Sequence, residues 1–135
     1  RPIPTEGMES AINKLIKAYT KQGIKEISSI LVELLRLLWQ GRNINSNINY
    51  FLLPCPQNKF DTKRCGYDAN LEIAKKFAQQ FDYNLLINKN KHEMTKENVM
   101  IITACFRKTK KIEKLINSLA LNKNKVTILA ITKDD

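Results

Sequence analysis

Cysteine, histidine, glycine and proline are all scarce in this chain, and each shortage excludes something. The three cysteines, Cys55, Cys65 and Cys105, form no CxxC pair, and His92 is the sole histidine. A structural zinc needs four ligands, so this ligand set argues against a metal site, and no cofactor is expected. An odd cysteine count, in a chain that does not open with a secretory signal pattern, leads to the expectation of reduced thiols in the cytoplasm. Four glycines and four prolines leave no room for a low-complexity linker. No apolar run reaches the ~18 residues of a membrane span. The longest candidate, residues 24–39, is interrupted by Lys25, Glu26, Ser28, Ser29, Glu33 and Arg36. GxGxxG, Walker A and HExxH motifs are absent, and His92 lies among Lys and Glu as a surface residue would.

What the chain does have is length for one domain and an ordinary globular balance. Hydrophobic residues make up 43% and charged residues 27% of 135. It is also strongly basic, at +10, which suggests a polyanionic partner. Lys, Asn and Ile supply 48 of the 135 residues, and all three have AT-rich codons, so part of the bias can be genomic. The placement of the charge says more than its sum. Residues 107–125 hold Arg107, Lys108, Lys110, Lys111, Lys114, Lys123 and Lys125 against the single acid Glu113, which is +6 of the +10.

Hydrophobic periodicity divides the chain into a helical segment, 1–42, and an α/β core, 49–135. A 3.6-residue stripe through Ile12, Leu15, Ile16 and Tyr19 predicts a helix over 6–22, closed by Gly23. A second helix over 24–40 carries Ile24, Ile27, Ile30, Leu31, Leu34, Leu35 and Leu38, widened by Val32, Leu37 and Trp39. A face this wide is buried on two sides or meets another subunit, and a core helix is the preferred reading. Ile24, Ile27, Leu31, Leu34, Leu35, Leu38 and Trp39 are the candidate protein contacts of the other reading.

After a polar loop over 42–49 the period changes. The run at 50–53 reads as a buried strand, and 54–66 as a long polar loop. A helix follows from Asp68, then strands at 83–87 and 99–103, a helix over 108–122, and a strand at 126–131. This order predicts an α/β fold with a mainly parallel sheet, right-handed crossovers and helices on both faces. Phe51 and Leu53 are expected to be buried.

Ligands of such sheets sit at the C-terminal ends of the strands. Two basic loops are predicted there. One holds Lys59, Lys63 and Arg64 among Phe60 and Tyr67. The other is Ala104-Cys105-Phe106-Arg107-Lys108-Thr109, leading through Lys110 and Lys111 into a helix. Cations beside a helix N-terminus favour an anion, and cations interleaved with aromatic rings suit single-stranded nucleic acid. The contrary reading is a solvated basic face, with Tyr67 anchoring its loop to the core.

These residues resemble the ComF family of phosphoribosyltransferase-like proteins, which are associated with natural competence. Leu53-Pro54-Cys55-Pro56 is similar to that family's strand ending in P-x-P. Arg64-Cys65-Gly66-Tyr67-Asp68-Ala69-Asn70-Leu71-Glu72-Ile73-Ala74 resembles its R-G-F-N-Q-x-x-L-L-A segment, and residues 15–23 its L-I-x-x-x-K-x-x-G segment. The resemblance covers most of 11–132 and implies a phosphoribosyltransferase-like fold. In that family a V-D-D-V-x-T-T-G-x-T loop binds phosphoribosyl diphosphate, the acids holding the ribose hydroxyls and the small residues cradling the 5-phosphate. Here Thr103 and Ala104 stand for the acids and Lys110 for the glycine, and only Thr109 is compatible. The family's zinc ribbon and most of its insertion before the third strand have no counterpart.

The expectation is therefore a degenerate, non-catalytic ComF-like domain, with no catalytic residues. It binds nucleic acid, single-stranded by preference, or another polyanion through Lys59, Lys63, Arg64, Arg107, Lys108, Thr109, Lys110 and Lys111. The alternatives are a structural subunit using helix 24–40 as an interface, and a phosphoribosyltransferase with an atypical loop.

Overall fold

The computed structural model describes residues 3–42, 47–57, 59–87 and 93–134, without the side chains of 3–10, 59–61 and 134. Helix α1 spans Ile3–Thr20 and α2 Ser28–Arg42, with a short 3-10 turn, Lys25–Ile27, between them. Strand β1 (Phe51–Pro54) leads into α3 (Lys59–Cys65) and α4 (Ala69–Phe81). Then come β2 (Asn84–Leu85), β3 (Asn98–Arg107), α5 (Lys110–Leu121) and β4 (Lys125–Asp134). The four strands form one parallel sheet in the order β2-β1-β3-β4. The α/β class with a parallel sheet flanked by helices is thus as expected.

Strand side chains alternate between the two faces of a sheet. Met100, Ile102 and Ala104 of β3 accordingly enter a core with Leu31, Leu35 and Trp39 of α2 and Ile73, Ala74 and Phe77 of α4. Val99 and Ile101 enter the opposite core with Ile112 and Leu119 of α5. Both faces of β3 are covered, which explains its unbroken apolar run. Leu53 is buried as expected, whereas Phe51 is only partly so.

Two caps fix helix positions. Asp68 accepts a hydrogen bond from the Leu71 amide at 3.1 Å to open α4, and Thr109 accepts one from the Ile112 amide at 3.2 Å to open α5. Helix α1 docks through Tyr19, whose hydroxyl donates to the Ala69 carbonyl at 2.7 Å. Gly23 ends that helical arm in a left-handed conformation, φ 75°.

Several boundaries differ from expectation. The 54–66 loop contains α3, because nothing between Lys59 and Cys65 breaks a helix until Gly66, at φ 90°, stops it. Strand β2 shrinks to two residues at the sheet edge. Tyr83, expected in the strand, instead joins an aromatic cluster with Phe77, Phe81 and Tyr50, and its hydroxyl accepts from the Trp39 indole at 3.1 Å. Strand β3 runs four residues past Thr103, since no Gly, Pro or Asp interrupts Ala104-Cys105-Phe106-Arg107 and β4 pairs alongside. Strand β4 is likewise longer, and α5 begins at Lys110 rather than 108. The protein-contact row on α2 needs correction as well: Leu31, Leu35 and Trp39 are core residues, because their side of the helix faces β3 and α4. Ile27 and Leu34 are half-buried, and Ile24 and Leu38 are exposed. His92 and much of the 88–98 loop lie outside the described residues.

Candidate polyanion interface at the strand ends

With the order β2-β1-β3-β4, chain connections leave β1 and β3 in opposite directions, and their C-terminal ends flank the position where ligands of such sheets bind. Here that position is occupied by the chain's own side chains. Thr103, 3% exposed, donates from Oγ1 to Asn70 Oδ1 at 2.9 Å. The Asn70 amide in turn donates to the Cys55 carbonyl at 2.9 Å, and the Cys55 amide to the Ile102 carbonyl at 3.0 Å. Gln57 Oε1 accepts from the Ala69 amide at 3.1 Å, engaging a free donor at the start of α4. The result is a closed polar knot joining β1, β3 and α4. No buried side-chain polar atom among the described residues lacks a partner.

The expected second loop is therefore not a loop until Lys108. Its residues up to Arg107 are extended and paired with Thr132, Lys133 and Asp134 of β4. Without a glycine between 103 and 111, the backbone has no position suited to wrapping a phosphate. Beyond the strand, Arg107, Lys108, Lys110 and Lys111 are all exposed across the strand end and the first turn of α5. Cations there oppose the positive end of the helix dipole, an arrangement that an anion relieves. Lys108 pairs with Glu113 at 3.4 Å, an exposed contact worth little. Thr109 serves as the cap of α5.

Lys63 and Arg64 are exposed in the last turn of α3, after β1 and at the same end of the sheet. They lie on the other side of it: α3 packs toward α1, where Gly23 meets the Cys65 carbonyl, whereas α5 covers the opposite face. The structure thus joins Arg107, Lys108, Lys110 and Lys111 into one run and sets Lys63 and Arg64 apart across the edge. The side chains of Lys59 and Phe60 lie outside the description. Lys133, exposed and opposite Phe106 in register, is a cation that sequence reasoning missed; carrying the last strand past Ile131 would have found it.

Tyr67 is anchored. Its hydroxyl donates to the Tyr19 carbonyl, and the two rings stand 5.2 Å apart. Burial, with nearby Cys65, Glu26 and Glu72, pushes its phenol up to about 12. The ring is half-buried and its hydroxyl is committed to the fold. Burial likewise pushes the Cys55 thiol up to about 11, far from a reactive thiolate. Among the described residues, no three His, Cys, Asp or Glu side chains are grouped to hold a metal ion. No described helix is long and apolar enough to cross a membrane.

A second concave region lies between α2 and α4. It is a shallow groove of about 280 Å³ lined by Ser29, Val32, Lys76, Gln79 and Gln80. Its cation is engaged within the groove, Lys76 Nζ donating to the hydroxyls of Ser28 and Ser29.

No protein-family model, curated protein or solved structure matches this chain.

Proposed function

We propose that the chain is a ComF-like domain that has lost phosphoribosyl transfer and binds a polyanion, nucleic acid foremost, along the C-terminal edge of its sheet. One observation supports this reading, the contrast between the two ends of the segment 103–111. Thr103 is buried and bonded to Asn70, while Arg107, Lys108, Lys110 and Lys111 are exposed. Lys133 extends this positive rim, and Lys63 and Arg64 stand across the sheet edge from it. With the exposed groups of this rim being cations, recognition runs through phosphates and carries no base sequence information.

The test is fluorescence anisotropy of labelled single-stranded and duplex oligonucleotides over a salt series. Log K falls by roughly 0.7 per phosphate contact per decade of salt for a single strand and by roughly 0.9 for a duplex. With about four contacts, tenfold more salt weakens single-strand binding by nearly three decades. Affinity that ignores salt, or that depends strongly on base sequence, refutes the proposal.

A further inference from the structure

Strand β4 ends the sheet order, so one of its two edges has no neighbouring strand. In a parallel pair each residue directs its N–H and C=O to one side, and the next residue directs them to the other. The Lys125 amide donates to the Glu97 carbonyl at 2.8 Å, which turns the odd residues of β4 toward β3. The N–H and C=O of Val126, Ile128, Ala130 and Thr132 therefore point outward. Among the described residues the Ile128 carbonyl alone finds a partner there, the exposed Arg42, whose Nη1 donates at 3.2 Å. Such edges are ordinarily blunted by shortness, proline, a bulge or a charge within the strand. The opposite edge is short, β2 having two residues. Strand β4 has ten, holds no proline, and keeps one register with β3 from Lys125 to Asp134. Five of the seven uncharged residues at 126–132 are β-branched, the side chains that suit a strand.

The chemistry of this edge specifies its occupant. Backbone donors and acceptors that recur at about 6.6 Å, two residues of strand rise, are matched by another extended backbone. Charge then selects which. Lys125 and Lys133 bracket the uncharged stretch and Arg42 stands beside it; all three are exposed, and none forms an ion pair with a described residue. A second β4 paired antiparallel about Leu129, which aligns the two uncharged stretches in full, sets Lys125 opposite Lys133 at both ends. Like charges directly opposite destabilise a strand pair. A segment with carboxylates at its ends meets a cation at each instead, and a further carboxylate can take Arg42 as the Ile128 carbonyl turns to a strand partner.

We propose that the outer edge of β4 takes an extended peptide segment of a partner protein, acidic at both ends and uncharged between, as a fifth strand of the sheet. The hydrogen bonds come from the β4 backbone, so the proposal does not rest on the polyanion reading.

The probe is a fluorescein-labelled peptide, Glu-Val-Thr-Val-Thr-Val-Glu, titrated against the full chain by anisotropy. Binding is expected, and N-methylation of every core amide of the peptide, which leaves its charge unchanged, should weaken it by more than about tenfold, the scale of two or three lost backbone hydrogen bonds. The same core flanked by Lys should bind less tightly than the Glu-flanked peptide. Ala130→Pro removes an outward N–H that makes no bond to β3, a position where an edge strand tolerates proline, and should weaken the peptide to a similar degree. Amide hydrogen exchange on the wild-type chain locates the contact whether or not that variant folds. The amides of Val126, Ile128, Ala130 and Thr132 should exchange faster than those of Thr127, Leu129 and Ile131, and the peptide should slow the first set. No binding of the Glu-flanked peptide overturns the proposal. So does equal binding of its N-methylated form, as a contact with side-chain cations elsewhere would give, or exchange at the four outward amides that the peptide leaves unchanged. Self-association of the wild-type chain that Ala130→Pro abolishes overturns the choice of partner.

Discussion

The Thr103 hydroxyl and the Asn70 side-chain amide are held 2.9 Å apart, tying β3 to the first turn of α4. Thr103 is the residue that aligns with the first of the two acids in the phosphoribosyltransferase-like loop it resembles. It contributes here to structure. Thr103→Val leaves Asn70 Oδ1 without this donor in a water-poor site, and should cost about 1–2 kcal/mol. The reading is a lower urea midpoint with an unchanged slope.

The same bond predicts the outcome of an attempted repair. Neither the wild-type chain nor the double variant Thr103→Asp, Ala104→Asp should release diphosphate from phosphoribosyl diphosphate with Mg²⁺ and any nucleobase. Ala104 is buried in the core shared with α2 and α4, so a carboxylate there lacks both water and a partner. The double variant should unfold more easily than wild type. Turnover by either protein, followed as diphosphate released, would refute the non-catalytic reading.

Gly23 connects α1 to the rest of the fold under a tight constraint. A Cβ at this position would stand 2.9 Å from the Cys65 carbonyl oxygen, on a backbone at φ 75°. Gly23→Ala therefore combines a clash against backbone with an unfavourable left-handed conformation, and should cost about 1–3 kcal/mol. Gly41→Ala, in a helix and facing open space, should be neutral or stabilising by up to ~1 kcal/mol. Thermal unfolding of the two variants side by side gives the comparison.

Alkaline pH should destabilise the protein through its buried thiol and phenols. Burial pushes the Cys55 thiol from 9.0 to about 11 and the Tyr67 phenol from 10.0 to about 12, and raises the Tyr19 phenol further. A raised value means that the folded state holds its proton more tightly than the unfolded chain. The stabilisation is complete below pH 9 and drains away as pH climbs toward 11 and beyond. For Cys55 the two-unit shift corresponds to about 2–3 kcal/mol. Urea midpoints should hold level from pH 7 to 8.5 and fall steeply above 9. Cys55→Ala should flatten the first part of that fall.

The fold was legible where a single physical pattern decides it. Apolar runs at 50–53 and 99–103 separated by amphipathic helices allow little besides a parallel sheet, and Asp68 and Gly23 mark real boundaries. What escaped was set by neighbours rather than by local pattern. The continuation of β3 to Arg107 depends on β4 running alongside, which no local window reveals. The breadth of apolar residues on α2 was visible, but the residues named as contacts included Leu31, Leu35 and Trp39, which face the core. Burial alone separates them from Ile30, Leu37 and Leu38. The cations of 107–111 were legible from position in the chain. The separation of Lys63 and Arg64 to the other side of the sheet was not, because the polar pattern of 59–65 does not distinguish a short helix from a loop, and the docking of α3 against α1 rests on Gly23 and Tyr67.

The central claim, that charge at the strand ends forms a site, is tested most directly by comparing two double variants in oligonucleotide anisotropy over a salt series. Arg107→Ala with Lys108→Ala removes the end of β3, while Lys123→Ala with Lys125→Ala removes equal charge at the far end of α5. The account predicts that the first pair weakens binding to all sequences alike and flattens the single-strand salt slope by about 1.4, two phosphate contacts at roughly 0.7 each. The second pair should change the slope by far less. Equal losses from both pairs would contradict the account and mark the charge as diffuse.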